Sequence, residues 1–254
     1  MSSSVRPRRR PQPKRRIQAD SAAPLALAID TSGAVEALTV VQGDLVLADQ
    51  RVRRPRRRGT ALGVAIAALL DSVGRSPSDL TAITVGLGPG AFTGLRVGIA
   101  TAHGLARALD IPLFGFDSTL GLACAPLGHT GETVVVLDAR RDEVYSAFYT
   151  PGESLPVVTV PTMLHSPAEL GALLSSRDPA LLLGDGARLY SDVLLAAAPQ
   201  HRVAGLHPSG PALAAVARDA IRRFEAGERA PLASIQPVYL RDHDAAKKMP
   251  KTAP

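Results

Sequence analysis

The segment from residue 83 to residue 109 limits the possible folds of this chain most. It contains a strand pattern, a glycine cluster and a helix pattern, in that order. A short apolar run at 83–85 predicts a buried strand, and an Ala- and Leu-rich stretch at 92–109 predicts a helix. Around the junction lie Gly86, Gly88, Pro89, Gly90 and Gly94. Such a cluster between a strand and a helix lets the backbone approach either a phosphate at the helix N-terminus or another backbone.

Small residues recur along this predicted helix at a spacing of four. Gly94, Gly98, Ala102 and Ala106 therefore fall on one stripe of its surface. A stripe of small residues lets a second helix pack closely, and we favour this interpretation over phosphate binding. The glycine cluster lacks the Lys-Ser/Thr pair of a P-loop and does not match the GxGxxG dinucleotide motif.

Composition indicates the kind of core and the cell compartment. Hydrophobic residues make up 46% of the 254 residues but aromatic residues only 4%, so the core is predicted to be aliphatic. Cys124 is the only cysteine, which excludes an intramolecular disulfide and fits a reduced, cytoplasmic compartment. The sequence has no apolar run of about 18 residues, so no membrane span is expected. The charged N-terminus has no apolar region beside it, so no secretory signal is expected.

Positive charge is concentrated in two arginine-rich runs, at 6–16 and 51–58. Residues 1–58 contain 13 Lys/Arg against 5 Asp/Glu, a net charge of +8, whereas residues 59–254 have a net charge of −2. Runs of this kind bind nucleic-acid phosphates by counterion release, or they form a solvated tail and a solvated loop. Both alternatives stay open.

The first half of the sequence predicts the element order β-β-β-α-β-α-β. The elements are expected at 25–29, 34–41, 45–52, 62–73, 83–85, 92–109 and 112–116. Three antiparallel strands followed by alternating helices and strands form the ribonuclease-H-like layout. The fold class is therefore α/β, with a mixed sheet flanked by helices.

The second half begins in the same order. Strands are predicted at 133–137, 143–149, 157–160 and 181–183, helices at 166–174, 187–197 and 211–224, and a turn at 184–186. Asp30 and Asp138 each stand at the end of the first strand of their half, which indicates an internal duplication. The predicted domains are a disordered basic extension (1–23), a first lobe (24–118), a second lobe (119–244) and a disordered tail (245–254).

Five segments in collinear order resemble the bacterial TsaB (YeaZ) family. They are LAIDTS at 27–32, VGLGPGAFTGLRVGIATAHGLA at 85–106, LDARRDEVYSAFY at 137–149, GDGA at 184–187 and PVYLR at 237–241. The glycine-rich segment is the most specific of the five. The resemblance spans residues 25 to 241, and it implies two ribonuclease-H-like lobes of the actin/Hsp70/sugar-kinase superfamily.

The same resemblance implies a function in making threonylcarbamoyladenosine at position 37 of tRNAs that read ANN codons. The expected role is a non-catalytic scaffold and activating subunit that pairs with the catalytic paralogue TsaD, joined by the ATPase TsaE. ATP is then used by the complex, and this chain needs no cofactor of its own. Alone, the chain is expected to form a homodimer through helices of the first lobe. Contact with tRNA is expected to be indirect or through the two arginine-rich runs.

The histidines argue against catalysis by this chain. They stand at positions 103, 129, 165, 201, 207 and 243. No two are four residues apart, so the sequence lacks the helical His-x-x-x-His metal pair of the catalytic paralogue. We expect no catalytic residue and no metal site. The alternatives are a stand-alone nucleotide- or metal-dependent enzyme of kinase or peptidase type, or an RNA-binding module that uses the arginine-rich runs.

Two sets of candidate residues follow. Weak candidates for a nucleotide site are Asp30, Asp138, Arg140 and Gly184, for which capping of turns is the favoured alternative. Candidates for a partner interface are Gly90, Phe92, Gly94, Arg96, Gly98, Ala102, His103, Leu62 and Ile66. A cation near a helix N-terminus is disfavoured by the helix dipole, so we expect Arg96 to point at an acidic partner group or a carbonyl, and our hypothesis is a contact with another subunit.

Overall fold

The computed structural model describes residues 23–53, 62–126, 128–204 and 210–240. The first half contains β1 (Leu25–Asp30), β2 (Val35–Gln42), β3 (Leu45–Arg53), α1 (Leu62–Ser72), β4 (Ala82–Gly86), α2 (Phe92–Leu109), β5 (Leu113–Phe116) and α3 (Ser118–Ala123). The second half contains β6 (Thr133–Arg140), β7 (Glu143–Thr150), β8 (Val157–His165), α4 (Pro167–Ser175), β9 (Leu181–Leu183), α5 (Asp185–Leu189), α6 (Ser191–Ala197), β10 (Arg202–Val203) and α7 (Ala214–Glu225). The arginine-rich run at 6–16, most of the run at 51–58 and both predicted disordered termini lie outside these residues, apart from residue 23.

Strand β1 is the centre of a five-stranded sheet with the order β3-β2-β1-β4-β5. The first three strands pair antiparallel, whereas β4 and β5 continue the sheet in parallel with β1. All six residues of β1 are buried, because helices cover both faces of the sheet. Leu27 and Ile29 face α1 and α2, whereas Ala26 and Ala28 face α7.

The second sheet repeats this topology, with the order β10-β9-β6-β7-β8. Its β6, β7 and β8 are again antiparallel, and β9 and β10 are parallel to β6. Helices α4, α5 and α6 cover one face, and α3 lies against the other, where Leu120 also contacts the first-lobe core. The predicted α/β class with two mixed sheets and the predicted duplication are confirmed.

Strands β6 and β8 each extend at least three residues beyond the predicted bounds. Strand β6 continues through Asp138 to Arg140, because its ladder with β7 pairs Asp138 with Val144 and Arg140 with Glu143. Asp138 therefore lies inside the strand, and the prediction that the strand ends before it is wrong. Strand β8 likewise extends past residue 160 to His165.

The segment after β9 differs from the prediction of a turn and one helix. Gly184 is the N-cap of α5, and Gly186 lies in its first turn. Tyr190 separates α5 from α6, so the helix predicted at 187–197 is two short helices. Helix α3 and the two-residue strand β10 were not predicted, because both are too short to show a periodic pattern.

Helix α7 packs on the first sheet, although its residues were assigned to the second lobe. Val216 and Ile221 are buried against Ala28 and Phe114. Because β1 and β4 are apolar on both faces, the first sheet needs a helix on each side, and α7 covers the side opposite α1 and α2. No helix in the described ranges is long and apolar enough to cross a membrane.

Candidate functional site

A cleft of about 380 Å³ opens between the two sheets. Its wall includes Ser32 from the turn after β1, Gly90 from the loop before α2, and Asp138, Arg140 and Gly184 from the second lobe. Three of the four weak nucleotide candidates therefore lie together. The fourth, Asp30, is not part of the cleft wall but lies behind Ser32.

The Asp30 carboxylate is fully buried and caps the turn after β1. Its Oδ1 accepts hydrogen bonds from the backbone N (2.8 Å) and the hydroxyl (2.6 Å) of Ser32. Burial raises the pKa of the Asp30 carboxyl above its usual value, and the hydrogen bonds from Ser32 offset part of this effect. Gly86 makes room for the carboxylate, since a Cβ at that position would overlap Asp30. This geometry supports the turn-capping interpretation.

Two charged groups of the second lobe that line the cleft, Asp138 and Arg140, are paired with each other, and Arg188 lines the cleft as well. Arg140 Nη1 lies 2.7 Å from Asp138 Oδ2, and Arg140 N donates to Asp138 Oδ1 over 2.8 Å. Asp185 Oδ1 accepts from the backbone N of both Asp138 and Gly186, each over 3.0 Å. A carboxylate of the chain thus occupies the position at the start of α5 where a phosphate would bind. This arrangement disfavours an anion at Arg140 and Gly184.

The described residues contain no group of three or more His, Cys, Asp or Glu side chains placed to hold a metal ion. His103 Nε2 lies 2.9 Å from the carbonyl oxygen of Ile235, and the buried His201 ring contacts the backbone of Ala180 and Leu174. Burial raises the pKa of the Cys124 thiol to about 12, so this thiol is protonated and a poor nucleophile at neutral pH. The buried contacts of His201 and the burial of Cys124 indicate that these two side chains serve the fold.

The small-residue stripe of α2 faces inward. Gly94, Gly98, Ala102 and Ala106 are all buried. The Thr31 hydroxyl donates to Gly94 O over 2.7 Å, and a Cβ on Gly98 would overlap Thr31. The prediction that Gly94, Gly98 and Ala102 form a docking stripe is therefore wrong, because the stripe lets α2 approach the turn after β1 in its own chain.

Two further interface candidates belong to the core of the first lobe. Leu62 is 5% exposed and Ile66 is 1% exposed, and both pack with the α2 side of the first sheet. Their apolar spacing along α1 gave the correct helix but the wrong role. Side chains as buried as Leu62 and Ile66 cannot contact a partner directly. They affect an interface only by supporting the exposed residues of α1.

The opposite surfaces of α1 and α2 present small and apolar residues to solvent. We call this set the outer helix face, and its members are Gly63, Val64, Ala67, Ala68, Val97, Ala100 and Gly104. Val64 is 58% exposed and Val97 is 43% exposed. A Cβ on Gly63 or on Gly104 would meet no atom within 4 Å. This face was not predicted from the sequence, although Val97, Ala100 and Gly104 form a second row of small and apolar residues along α2.

An arginine and two aromatic rings lie at the start of α2. The Arg96 guanidinium stacks on the Phe92 ring at 3.7 Å, and Arg96 Nε donates to the Tyr239 hydroxyl over 3.1 Å. Phe92 and Tyr239 are each 40% exposed. The nearby candidate Gly90 is exposed as well, with its Cα against Ser32. Whether Phe92, Arg96, Gly90 and His103 contact a partner stays a prediction.

Comparison with known proteins agrees with the fold and the motifs. The sequence model of the family described as "TsaD: tRNA N6-adenosine threonylcarbamoyltransferase" matches residues 56–186. The chain is 31% identical over 169 residues to the tRNA threonylcarbamoyladenosine biosynthesis protein TsaB of Bacillus subtilis, covering 66% of this chain and 74% of that protein. It is 30% identical over 210 residues to TsaB of Escherichia coli, covering 77% and 86%.

A solved structure extends this agreement to the whole fold. A crystal structure from Pseudomonas aeruginosa, described as an uncharacterized protein with similarity to peptidase YEAZ, superimposes with a TM-score of 0.72 at 25% identity. The match covers 86% of this chain and 100% of that one. The resemblance that the five sequence segments indicated is confirmed. This chain belongs to the TsaB (YeaZ) family of tRNA threonylcarbamoyladenosine biosynthesis proteins.

Proposed function

We propose that this chain is a scaffold and activating subunit that docks on a TsaD-type catalytic paralogue through the outer helix face. Family membership supports a role in threonylcarbamoyladenosine biosynthesis. In the proposed complex, the chain supports transfer of threonylcarbamoyl to N6 of adenosine 37 in tRNA. A TsaE-type ATPase joins the complex, and ATP is consumed there.

The observation that carries the proposal is the exposure of small apolar residues on α1 and α2. Val64 and Val97 are large exposed hydrophobics, and Gly104 follows Val97 along α2 with open space above it. Exposed apolar patches on folded domains mark interaction sites, and small residues let helices of a partner approach closely. The interlobe cleft gives less support, because Arg140 is paired there with Asp138 and the Asp185 carboxylate accepts the backbone N–H groups of Asp138 and Gly186.

The match to the TsaD family model supports a paralogue as the partner. The matched residues, 56–186, include both α1 and α2. A TsaD-type protein is therefore expected to present a related helix pair, and two such pairs packed face to face form a four-helix contact. A second copy of this chain offers the same surface, so a homodimer competes with the heterodimer when the paralogue is absent.

The test compares two substitutions at Gly104 in a binding assay with the TsaD-type paralogue. Gly104→Arg places a long charged side chain on the outer helix face and is expected to weaken binding at least about 10-fold. The matched control, Gly104→Ala, adds one methyl group in open space and is expected to bind like the wild type. Threonylcarbamoyl transfer to tRNA, measured with the TsaE-type ATPase and ATP, is expected to fall in parallel.

Two outcomes would contradict the proposal. One is wild-type affinity of the Gly104→Arg variant for the paralogue, with the variant shown to be folded by circular dichroism. The other is transfer activity that does not depend on this chain. Binding of ATP by the isolated chain at the interlobe cleft would favour the alternative of a stand-alone nucleotide-dependent enzyme, for which the cleft volume is the supporting observation.

A further inference from the structure

Arg96 is held in one orientation by two side chains of its own chain. Its guanidinium carbon lies over the Phe92 ring, 3.7 Å from the ring centroid, and its Nε donates to the Tyr239 hydroxyl over 3.1 Å. The two rings also contact each other, with centroids 5.5 Å apart. Stacking and the Nε hydrogen bond restrict the long side chain, so it has less rotamer freedom to lose when it binds a further group.

Among the residues that the structure describes, none occupies the outward edge of this guanidinium. Within the described ranges, neither terminal nitrogen of Arg96 donates a hydrogen bond or lies within salt-bridge distance of a carboxylate. Helix α2 has no Asp or Glu between Phe92 and Leu109, and the neighbouring segment 231–240 has none either. The two nitrogens thus present a planar pair of donors to solvent, which matches the two oxygens of a carboxylate.

Tyr239 is itself fixed to the first lobe. Val238 N donates to Leu87 O over 2.8 Å, and Ile235 is buried in the core below α2. Ile235 O also contacts His103 Nε2 at 2.9 Å. The segment 231–240 therefore crosses α2 as an anchored strap and brings the Tyr239 hydroxyl to Arg96. This orientation of Arg96 depends on two distant parts of the chain.

The position of Arg96 favours a protein rather than a nucleic acid as the source of the carboxylate or other oxyanion. Val97 and Ala100 of the outer helix face are the next exposed residues along α2, and the aromatic rings beside Arg96 are half-exposed. Aromatic residues and arginine beside an apolar surface are typical of protein interfaces. Nucleic-acid sites instead gather several cations, whereas Arg107 is the only other cationic Arg or Lys on α2.

We propose that Arg96, oriented by Phe92 and Tyr239, receives an Asp or Glu carboxylate of the protein that docks on the outer helix face. This inference rests on the proposed function and adds the chemistry by which the partner is recognised. Arg96 is the residue that makes the contact, and Tyr239 is a positioning residue. The ion pair between Arg96 and the partner carboxylate fixes how the partner is aligned along α2, at the edge of an otherwise apolar contact.

The experiment measures the affinity of the full-length chain for the TsaD-type paralogue at low and high salt. Arg96→Glu is expected to weaken binding at least about 10-fold, and Arg96→Lys to weaken it less, because lysine keeps the charge but not the planar pair of donors. Arg202→Glu, the same charge change at an exposed arginine in β10 of the second lobe, is expected to change affinity less than about 3-fold. Tyr239→Phe, which keeps the ring, is expected to weaken binding and to reduce its salt dependence.

A charge swap identifies the carboxylate. Acidic residues of the paralogue are changed to Lys one at a time, and one of them is expected to restore binding of the Arg96→Glu variant. Unchanged affinity of Arg96→Glu, equal effects of Arg96→Glu and Arg202→Glu, or the absence of any restoring change would overturn the inference. Weaker tRNA binding by the assembled complex, with paralogue affinity unchanged, would overturn it in favour of a phosphate.

The result at Gly104 separates this inference from the proposed function. If Gly104→Arg binds normally while Arg96→Glu does not, the outer helix face is wrong as the docking surface and the carboxylate contact stands. If Gly104→Arg abolishes binding while Arg96→Glu does not, the docking surface stands and the inference at Arg96 fails.

Discussion

At the scale of single residues, Asp30 has the most unusual environment in the described chain. It lies at the end of a strand whose six residues are all buried, and its Oδ1 is satisfied by Ser32. Its Oδ2 lies near the Ser118 hydroxyl without a well-formed hydrogen bond among the described residues. A charged carboxylate in this place is costly, which is why burial raises its pKa.

This environment predicts a pH-dependent effect of Asp30→Asn. The folded chain binds a proton at Asp30 more tightly than the unfolded chain, whose pKa is near 3.8. The contribution of Asp30 to stability is therefore greatest below that pH, and it is lost as the pH rises through the raised folded pKa. Asparagine cannot ionise, and its Oδ1 keeps both Ser32 bonds.

We therefore expect the free energy of unfolding of Asp30→Asn, relative to wild type, to increase between about pH 4 and about pH 7. Urea denaturation at several pH values measures this difference, in which the titration of all other carboxylates cancels. A difference that stays constant over this range would show that the Asp30 carboxyl is not destabilised by burial.

At the scale of elements, α2 shows that one helix uses small residues for two purposes. Its inward row allows the turn after β1 to come close, with Thr31 against Gly94 and Gly98. Its outward row is exposed and includes Gly104, where a Cβ would meet no atom within 4 Å. The two rows are interleaved in the sequence, and each has residues spaced by three or four positions.

The two rows predict opposite effects of the same substitution. Gly98→Ala forces its methyl group into Thr31 and is expected to lower the free energy of unfolding by about 1–3 kcal/mol. Gly104→Ala meets nothing and replaces a helical glycine, so it is expected to raise this free energy by about 0.5–1 kcal/mol. Chemical denaturation of both variants measures the two values. Equal effects at the two positions would mean that the assignment of the two faces is wrong.

At the scale of the whole molecule, the first lobe is completed by the end of the described chain. Helix α7 covers one face of the first sheet, and Ile235 from the strap enters the core on the other face. Helix α3 lies between the two sheets, where the Thr119 hydroxyl contacts the Tyr149 hydroxyl at 2.6 Å. The two lobes are therefore similar in topology, but the first lobe includes segments that follow the second lobe in the sequence.

A fragment experiment tests this dependence. A polypeptide of residues 23–118 exposes the apolar sheet face that Val216 and Ile221 cover, and it is expected to lack a cooperative unfolding transition. Supplying residues 210–240, joined by a flexible linker, is expected to restore that transition, as measured by circular dichroism during thermal unfolding. Cooperative folding of 23–118 alone would show that α7 is dispensable for the first lobe.

The sequence alone determined the fold class, the order of nearly all elements, the duplication and the family. These properties follow from local patterns: apolar runs at 25–29 and 83–85, helical periodicity at 92–109, and the glycine-rich segment at their junction. Each pattern acts over a few neighbouring residues, so it can be read without knowing what packs against it.

The tertiary structure alone decided which face of each element is used. Gly98 and Gly104 have the same chemistry, and only the position of Thr31 assigns one to the core and the other to the surface. The pairing of Asp138 with Arg140 and the contact of Arg96 with Tyr239 likewise depend on where distant segments meet. Helical periodicity shows which residues share one side of a helix, but not whether that side faces the core or the solvent. That depends on packing against residues far away in the sequence.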